Sequence, residues 1–201
     1  PAADAANNGT GRVLPNDPLP FALLESVDAN VALAVADFRM PGMTLTDIDI
    51  SVALSDGDLD ADIPSLTLAG GGTIRGAITV NATEATVQVD LNATQVALAG
   101  LTRGALSDAV EGTVDIEVAL TGHGRTPAEI AANLDGGVSV LMGEGRAKAQ
   151  VLDSVVGGVS TLIGTLFTGD SDWTVVNCAA ANFAIEGGVA TSQVLLFDSA
   201  A

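Results

Sequence analysis

Alternation of apolar and polar residues is the feature that most constrains this chain, because it recurs in segment after segment. In residues 27–35, Val and Leu alternate with Asp28, Asn30 and small alanines, and residues 48–54 place Ile and Val between Asp and Ser. The same two-residue period returns over residues 59–68, 74–80, 87–98, 114–120, 173–185 and 189–197. Such a period is typical of a β-strand with one buried face. The sequence therefore predicts nine or ten strands.

Turn signals separate these strands and indicate how they connect. Asp56–Gly57 and Glu186–Gly187–Gly188 are typical of hairpins, and Pro41–Gly42 is predicted to turn as well. Asp135–Gly136–Gly137 is predicted to form a turn, and a strand carrying Val138 and Val140 is predicted to follow it. Hairpin connections predict an antiparallel meander, and a parallel α/β fold is excluded because helices do not alternate with strands.

Two helices are predicted late in the chain. Near residues 126–134, Thr126 is a capping residue, Pro127 suits the first helical position and Glu129 completes a capping box. Residues 147–167 carry a broad apolar stripe that includes Val155, Val159 and Leu162. A membrane-spanning role for this second helix is disfavoured by Lys148, Gln150 and Asp153. Its apolar stripe must therefore be covered by a sheet or by a lipid.

The predicted fold class is mainly β with two helices (α+β). We expect an antiparallel, meandering and curled sheet whose apolar inner face is partly covered by the two late helices. Residues 1–20 lack any period and are predicted to form a flexible tail or linker, followed by a single domain over residues 21–201.

Composition excludes several classes of function. The formal net charge is -18, from 25 acidic and 7 basic side chains. Nucleic acid is not an expected partner, because phosphate binding needs clustered Lys and Arg. Aromatic residues make up only 3% of the chain, which argues against a base-stacking surface. Cys178 is the single cysteine, so the chain cannot form an internal disulfide.

Candidate catalytic and metal sites are weak in this sequence. Cys178 is interpreted as a small buried hydrophobe, and His123 as a loop residue without the second histidine that a zinc site needs. Asp56, Asp58 and the acids that follow them space like calcium ligands, but they lack the Gly and Glu of an EF-hand. We expect no enzyme activity, no metal and no cofactor. A hydrolase is a third, least favoured interpretation.

Three segments, taken in order, resemble the C-terminal region of AsmA-family bacterial envelope proteins. The first is residues 28–31 with residues 43–50 and the Asp56–Gly57 turn, and the second is residues 68–71 leading into residues 74–76. The third, residues 177–183 followed by residues 186–190 and 195–198, is the most specific. The resemblance covers residues 19–201.

This resemblance implies a periplasmic, β-rich body with an apolar groove and an N-terminal anchor in the inner membrane. It also implies a part in outer-membrane assembly through the transport or handling of phospholipids. The expected anchor is absent here, so the chain is expected to be a C-terminal piece attached through a segment that it lacks. Expected partners are a phospholipid or another acyl-chain lipid, with membrane proteins as further candidates.

If the apolar face is an open groove, the alternation predicts which side chains line it. The candidates on strands and on the long helix are Val31, Leu33, Ile48, Ile50, Val52, Val87, Val89, Val114, Ile116, Val118, Val155, Val159 and Leu162. The alternative is a structural or protein-interaction domain with a closed core, part of a larger membrane-associated assembly. The two hypotheses differ in whether the aliphatic side chains are fully covered.

Overall fold

A computed structural model describes residues 14–40, 43–68, 70–98, 109–148 and 173–200. These residues form one antiparallel sheet of nine strands in which each strand pairs with its neighbours in the chain. The strands are β1 Ala29–Met40, β2 Met43–Ser55, β3 Asp58–Leu68, β4 Thr73–Asn81, β5 Thr86–Ala97, β6 Val110–His123, β7 Leu134–Lys148, β8 Trp173–Glu186 and β9 Val189–Ser199. The described residues include two short helices, α1 Phe21–Leu24 and α2 Pro127–Ala132. The sheet is open, with β1 and β9 at its edges. The meander predicted from the alternation is therefore confirmed.

The hairpin predicted at Asp56–Gly57 is a two-residue turn between β2 and β3. Ser55 lies opposite Asp58, and both turn residues have positive φ, 53° for Asp56 and 85° for Gly57. Positive φ at both central positions is what a type I′ turn requires, and it suits the twist of the flanking strands. The last hairpin, with Gly187 and Gly188 in the turn between β8 and β9, is confirmed in the same way.

Helix α2 begins with the cap that its sequence predicts. The Thr126 hydroxyl accepts a hydrogen bond of 3.1 Å from the backbone N–H of Glu129. The Glu129 carboxylate accepts one of 2.8 Å from the backbone N–H of Arg125, one residue before the cap. The first bond satisfies one of the donors that the first turn of a helix leaves free, and the second holds the residue before the cap.

Strand β7 departs from the sequence-based prediction at both of its ends. Asp135, Gly136 and Gly137 do not turn but pair with Thr121, Leu120 and Ala119 of β6. The predicted turn is wrong because the neighbouring strand supplies hydrogen-bond partners, and glycine's missing Cβ permits their close approach.

The other difference is at the end of β7, where a helix was predicted to begin. Ala147 and Lys148 are strand residues that lie opposite Thr174 and Trp173 of β8. The rest of the predicted helix, including Val155, Val159 and Leu162, lies outside the described residues. Within the described residues no helix is both long enough and apolar enough to cross a membrane.

The sequence did not predict α1, which joins the preceding segment to the sheet. Phe21 is buried against Ala82 and Ala85 in the turn between β4 and β5, with Leu19 and Val80 packed beside them. The backbone N–H of Leu19 donates a 2.8 Å hydrogen bond to the carbonyl of Arg125, immediately before α2. We call α1 and α2 together the helical cap, because they cover the same end of the sheet.

Candidate functional site

The register of the nine strands gathers aliphatic side chains on one face of the sheet. Residues directly opposite each other in neighbouring strands project from the same face. One row crosses the whole sheet through Val31, Val52, Ala61, Ile78, Val89, Leu120, Gly136, Ile185 and Ala190. A second row runs from β3 to β9 through Leu66, Ile74, Ala93, Ile116, Val140, Ala181 and Leu195. We call the face that carries these rows the aliphatic face.

All ten strand residues predicted to line a groove lie on the aliphatic face. Leu33 lies opposite Ile50, Ile48 opposite Val35, and Val118 opposite Leu91. Val31 and Leu33 on the edge strand β1 are exposed, whereas Ile48 and Val114 are buried. The other six are half-buried, namely Ile50, Val52, Val87, Val89, Ile116 and Val118. The structure therefore groups these side chains without fully burying most of them.

The aliphatic face is packed against other parts of the protein at both of its ends. At one end, Val80 packs in the cluster around α1, and Gly122 lies beside Ile130 and Leu134 of the α2 region. At the other end, Val96, Val114 and Val176 are buried. Half-buried aliphatic side chains occupy the rows in between.

The opposite face, which we call the polar face, carries most of the acidic side chains of the central strands. Ser51, Asp62, Ala77 and Asp90 form one row across β2 to β5. Amides accompany several of these acids, as where Asn81 donates a 2.7 Å hydrogen bond to the Asp58 carboxylate. Within the described residues, no group of three or more His, Cys, Asp and Glu side chains is placed to hold a metal ion.

One cluster on the polar face was not predicted, and it lies at the end of the sheet opposite the helical cap. The Glu111 carboxylate accepts hydrogen bonds from Arg146, at 2.6 Å from Nε and 2.9 Å from Nη2. The Arg146 guanidinium lies 4.9 Å from the centre of the Trp173 ring, and the Lys148 ammonium lies 5.2 Å from it. No sequence signal joins these residues, because they meet only through the pairing of β6, β7 and β8.

This cluster shifts the pKa values of two of its members. The hydrogen bond from Arg146 lowers the pKa of Glu111 below its ordinary value of 4.5. The same bond, together with the charge of Glu111, raises the pKa of Arg146. Because both side chains are about half exposed, the pair is screened by solvent.

The lone cysteine and the lone histidine lie apart from each other. Cys178 is in β8, as predicted, and is half-buried rather than buried, opposite Asp198 of β9. His123 is exposed at the end of β6, where its backbone carbonyl accepts a hydrogen bond from Asn133.

Comparison with known proteins shows a similarity to one protein family. The sequence model of the AsmA family matches residues 2–195. That range includes eight of the nine strands completely and β9 as far as Leu195. No curated protein and no solved structure matches the chain.

Proposed function

The chain belongs to the AsmA family of bacterial envelope-associated proteins, and from this premise we propose that it is a non-enzymatic module that binds acyl-chain lipids on its aliphatic face. The family suggests lipid transport or outer-membrane assembly. In our proposal the ligand is a phospholipid or another acyl-chain lipid, and the chain acts in the periplasm.

The observation that carries this proposal is the half-buried state of the central aliphatic rows. Ile50, Val89 and Ile116 each keep part of their side chain accessible, although they lie within a continuous apolar surface. Covering such a surface gains about 25 cal/mol for each Å² of apolar area removed from water. An acyl chain is a ligand whose whole length can make this contact without leaving a polar group unpaired.

Glycines within the rows support a sheet that bends around a ligand. Gly76 and Gly136 stand on the aliphatic face where the backbones of neighbouring strands approach closely. Glycine at such positions permits sharper bending than a residue with a Cβ. We propose that bending there makes the aliphatic face the inner one.

A closed-core interaction domain is the second candidate function, and one observation favours it. Val96, Val114 and Val176 are almost completely buried, so part of the aliphatic face is packed as a protein core. If this packing extended over the central rows, no lipid would bind, and membrane-protein partners would contact other surfaces.

Lipid binding by wild type and two variants tests the proposal. Ile116→Asn changes a half-buried residue of the aliphatic face, and Glu117→Gln changes its exposed neighbour on the polar face as a matched control. We expect Ile116→Asn to weaken the binding of a fluorescent phospholipid by about 5-fold or more, because the acyl chain would have to desolvate the amide. Glu117→Gln is expected to bind like wild type.

Melting curves for each variant separate a binding defect from a folding defect. Native mass spectrometry of the purified protein adds a direct search for bound lipid. If wild type binds no lipid at micromolar concentration, the lipid proposal is wrong and the closed-core candidate remains. If Ile116→Asn lowers the melting temperature greatly and leaves lipid affinity unchanged, the central rows are core rather than binding surface.

A further inference from the structure

Two glycines lie opposite each other in β6 and β7 and leave a depression on the aliphatic face. Gly112 pairs with Gly145, so neither strand places a side chain there. The methyl group of Met142 occupies this space instead. A Cβ added at Gly112 would lie 2.9 Å from the Met142 Cε, and a Cβ added at Gly145 would overlap the same atom. We call the space above Gly112 and Gly145 the glycine pocket.

Apolar side chains stand beside the glycine pocket. Val176 of β8 lies directly opposite Gly145 and is 1% exposed. Val114 and Ala147 are each two residues from one of the glycines, so they project from the same face, and both are buried. Such a lining suits a hydrocarbon segment, whereas a polar headgroup would lose its water without gaining a side-chain partner.

Met142 connects the glycine pocket with the central rows of the aliphatic face. It lies opposite Val114 and Ala179 and is half-buried. Between Met142 and Gly145, β7 has two residues where β6 has one. A bulge of this kind bends its strand and redirects neighbouring side chains. Methionine is unbranched and adapts its shape to what lies beside it, so Met142 is suited to leaving the pocket by a change of rotamer.

We propose that the glycine pocket binds the terminal methyl end of an acyl chain, and that Met142 changes rotamer to accommodate it. This inference rests on the proposed lipid-binding function and makes Met142 a determinant of chain-length specificity. Ile116 and Val140 lie opposite each other in the row next to Met142. A short chain lying on that row leaves Met142 in place, whereas a longer chain extends into the pocket.

The position of Met142 determines how affinity depends on chain length. Each further methylene group that is buried strengthens binding by about 4-fold. In wild type, displacing Met142 from the two glycines offsets part of this gain. In Met142→Ala the pocket is open, so only a chain long enough to enter it benefits from the substitution.

Binding of two fatty acids to the full chain tests the inference. We expect Met142→Ala to prefer hexadecanoic acid over dodecanoic acid by at least about 4-fold more than wild type does. Leu141→Ala, which changes a 54% exposed leucine on the polar face, is the matched control and is expected to keep the wild-type preference. Melting curves show whether each variant is folded.

Nuclear magnetic resonance of methionine methyl groups labelled with carbon-13 follows Met142 directly in the wild-type chain. The chain has three methionines, Met40, Met43 and Met142, and Met142→Leu identifies the third signal by its loss. We expect hexadecanoic acid to shift the Met142 signal and dodecanoic acid to shift it much less. Met40 and Met43, which pair with each other at the β1–β2 connection, report general effects of added fatty acid.

The outcomes separate this inference from the proposed function. If neither fatty acid binds wild type, both are wrong. If both fatty acids bind and hexadecanoic acid leaves the Met142 signal unchanged, only the glycine pocket is wrong. The same holds if Met142→Ala changes the affinity for both fatty acids by the same factor, because Met142 would then be an ordinary part of the apolar surface. If Met142→Ala does not fold, the titration of wild type decides.

Discussion

At the scale of single residues, Gly136 shows why a glycine interrupts an aliphatic row. Its φ is +133°, and an added Cβ would overlap the carbonyl oxygen of Ala119 in β6. We expect Gly136→Ala to lower the free energy of unfolding by more than about 2 kcal/mol, because the substitution combines a strained φ with a backbone overlap. Urea denaturation measures the change.

The control for this prediction is Gly143→Ala in the same strand. A Cβ added at Gly143 would meet nothing within 4 Å. The free energy of unfolding of this variant is expected to lie within about 0.5 kcal/mol of wild type. Equal losses for the two variants would mean that β7 merely disfavours alanine, and the argument from close approach would fail.

The Glu111–Arg146 pair predicts a pH dependence whose sign follows from the lowered pKa of Glu111. A carboxylate with a lowered folded-state pKa stabilises the protein above its ordinary pKa, and this contribution is lost as pH falls through the lowered value. Wild type should therefore melt slightly above Glu111→Gln at neutral pH, and the difference should vanish once the pH is low enough to protonate Glu111 in the folded protein. Because the pair is about half exposed, the difference is expected to be small.

Thermal melting from neutral pH to about pH 3 provides this measurement. Glu144→Gln, an exposed acid two residues from Arg146 in β7, serves as the control for a general loss of negative charge. A constant difference between wild type and Glu111→Gln across the whole range would contradict the assigned ionic hydrogen bond.

At the scale of the strand, β8 places neighbouring valines in opposite environments. Val176 is 1% exposed on the buried end of the aliphatic face, whereas Val175 is 51% exposed. We expect Val176→Ala to cost about 2 kcal/mol of unfolding free energy, and Val175→Ala less than about 0.5 kcal/mol. Chemical denaturation of both variants measures these losses. A larger loss for Val175→Ala than for Val176→Ala would mean that the two faces of β8 are assigned the wrong way round.

Helix α2 has only six residues, so its stability depends strongly on its N-terminal cap. Thr126→Ala removes the acceptor for the Glu129 N–H and is expected to cost about 1 kcal/mol of unfolding free energy. Thr126→Ser keeps a hydroxyl at the same position and should recover most of this loss. A serine variant as unstable as the alanine variant would show that the methyl group of Thr126, rather than its hydrogen bond, stabilises this end of the sheet.

Strand elements were predictable because alternation is a local signal, but their register was not. Between Ala93 and Val96 the register of β5 with β6 shifts, and Gln95 has a positive φ of 55°. A glycine at this position would have indicated a positive φ in the sequence, whereas a glutamine does not. The Gly136–Gly137 pair was misassigned for a related reason, since a double glycine is a turn signal unless a neighbouring strand pairs with it. Helix α1 is too short to show a period at all.

The candidate site was predictable to the same extent as the strands. Alternation correctly placed Ile50, Val89 and Ile116 on one face, because a two-residue period fixes the face within each strand. How far each side chain is covered depends on distant segments such as the helical cap. The sequence does not show the cluster of Trp173 with Arg146 for the same reason, since only the pairing of three strands brings its members together.

At the scale of the whole molecule, the two faces of the sheet differ in character, and this predicts how lipid binding responds to salt. Acids are concentrated on the polar face, and the net charge of -18 offers no clamp for a phosphate group. We expect the affinity for a zwitterionic phospholipid to change less than about 2-fold between low salt and 0.5 M salt, because screening acts only on charges. Titration with a fluorescent phospholipid at several salt concentrations measures it. A steep loss of affinity with salt would instead place the headgroup on a cationic site.

The strictly sequential strand order has a consequence for how the chain acquires its structure. Every strand pairs only with the strands before and after it, so each hairpin meets its partners soon after it is made. Such an arrangement behaves approximately as a one-dimensional array of neighbouring units, as repeat proteins do. Low separation between contacting residues favours rapid formation for a β protein. It also means that a hairpin gained or lost at either margin changes the width of the sheet without requiring any other strand to change its neighbour.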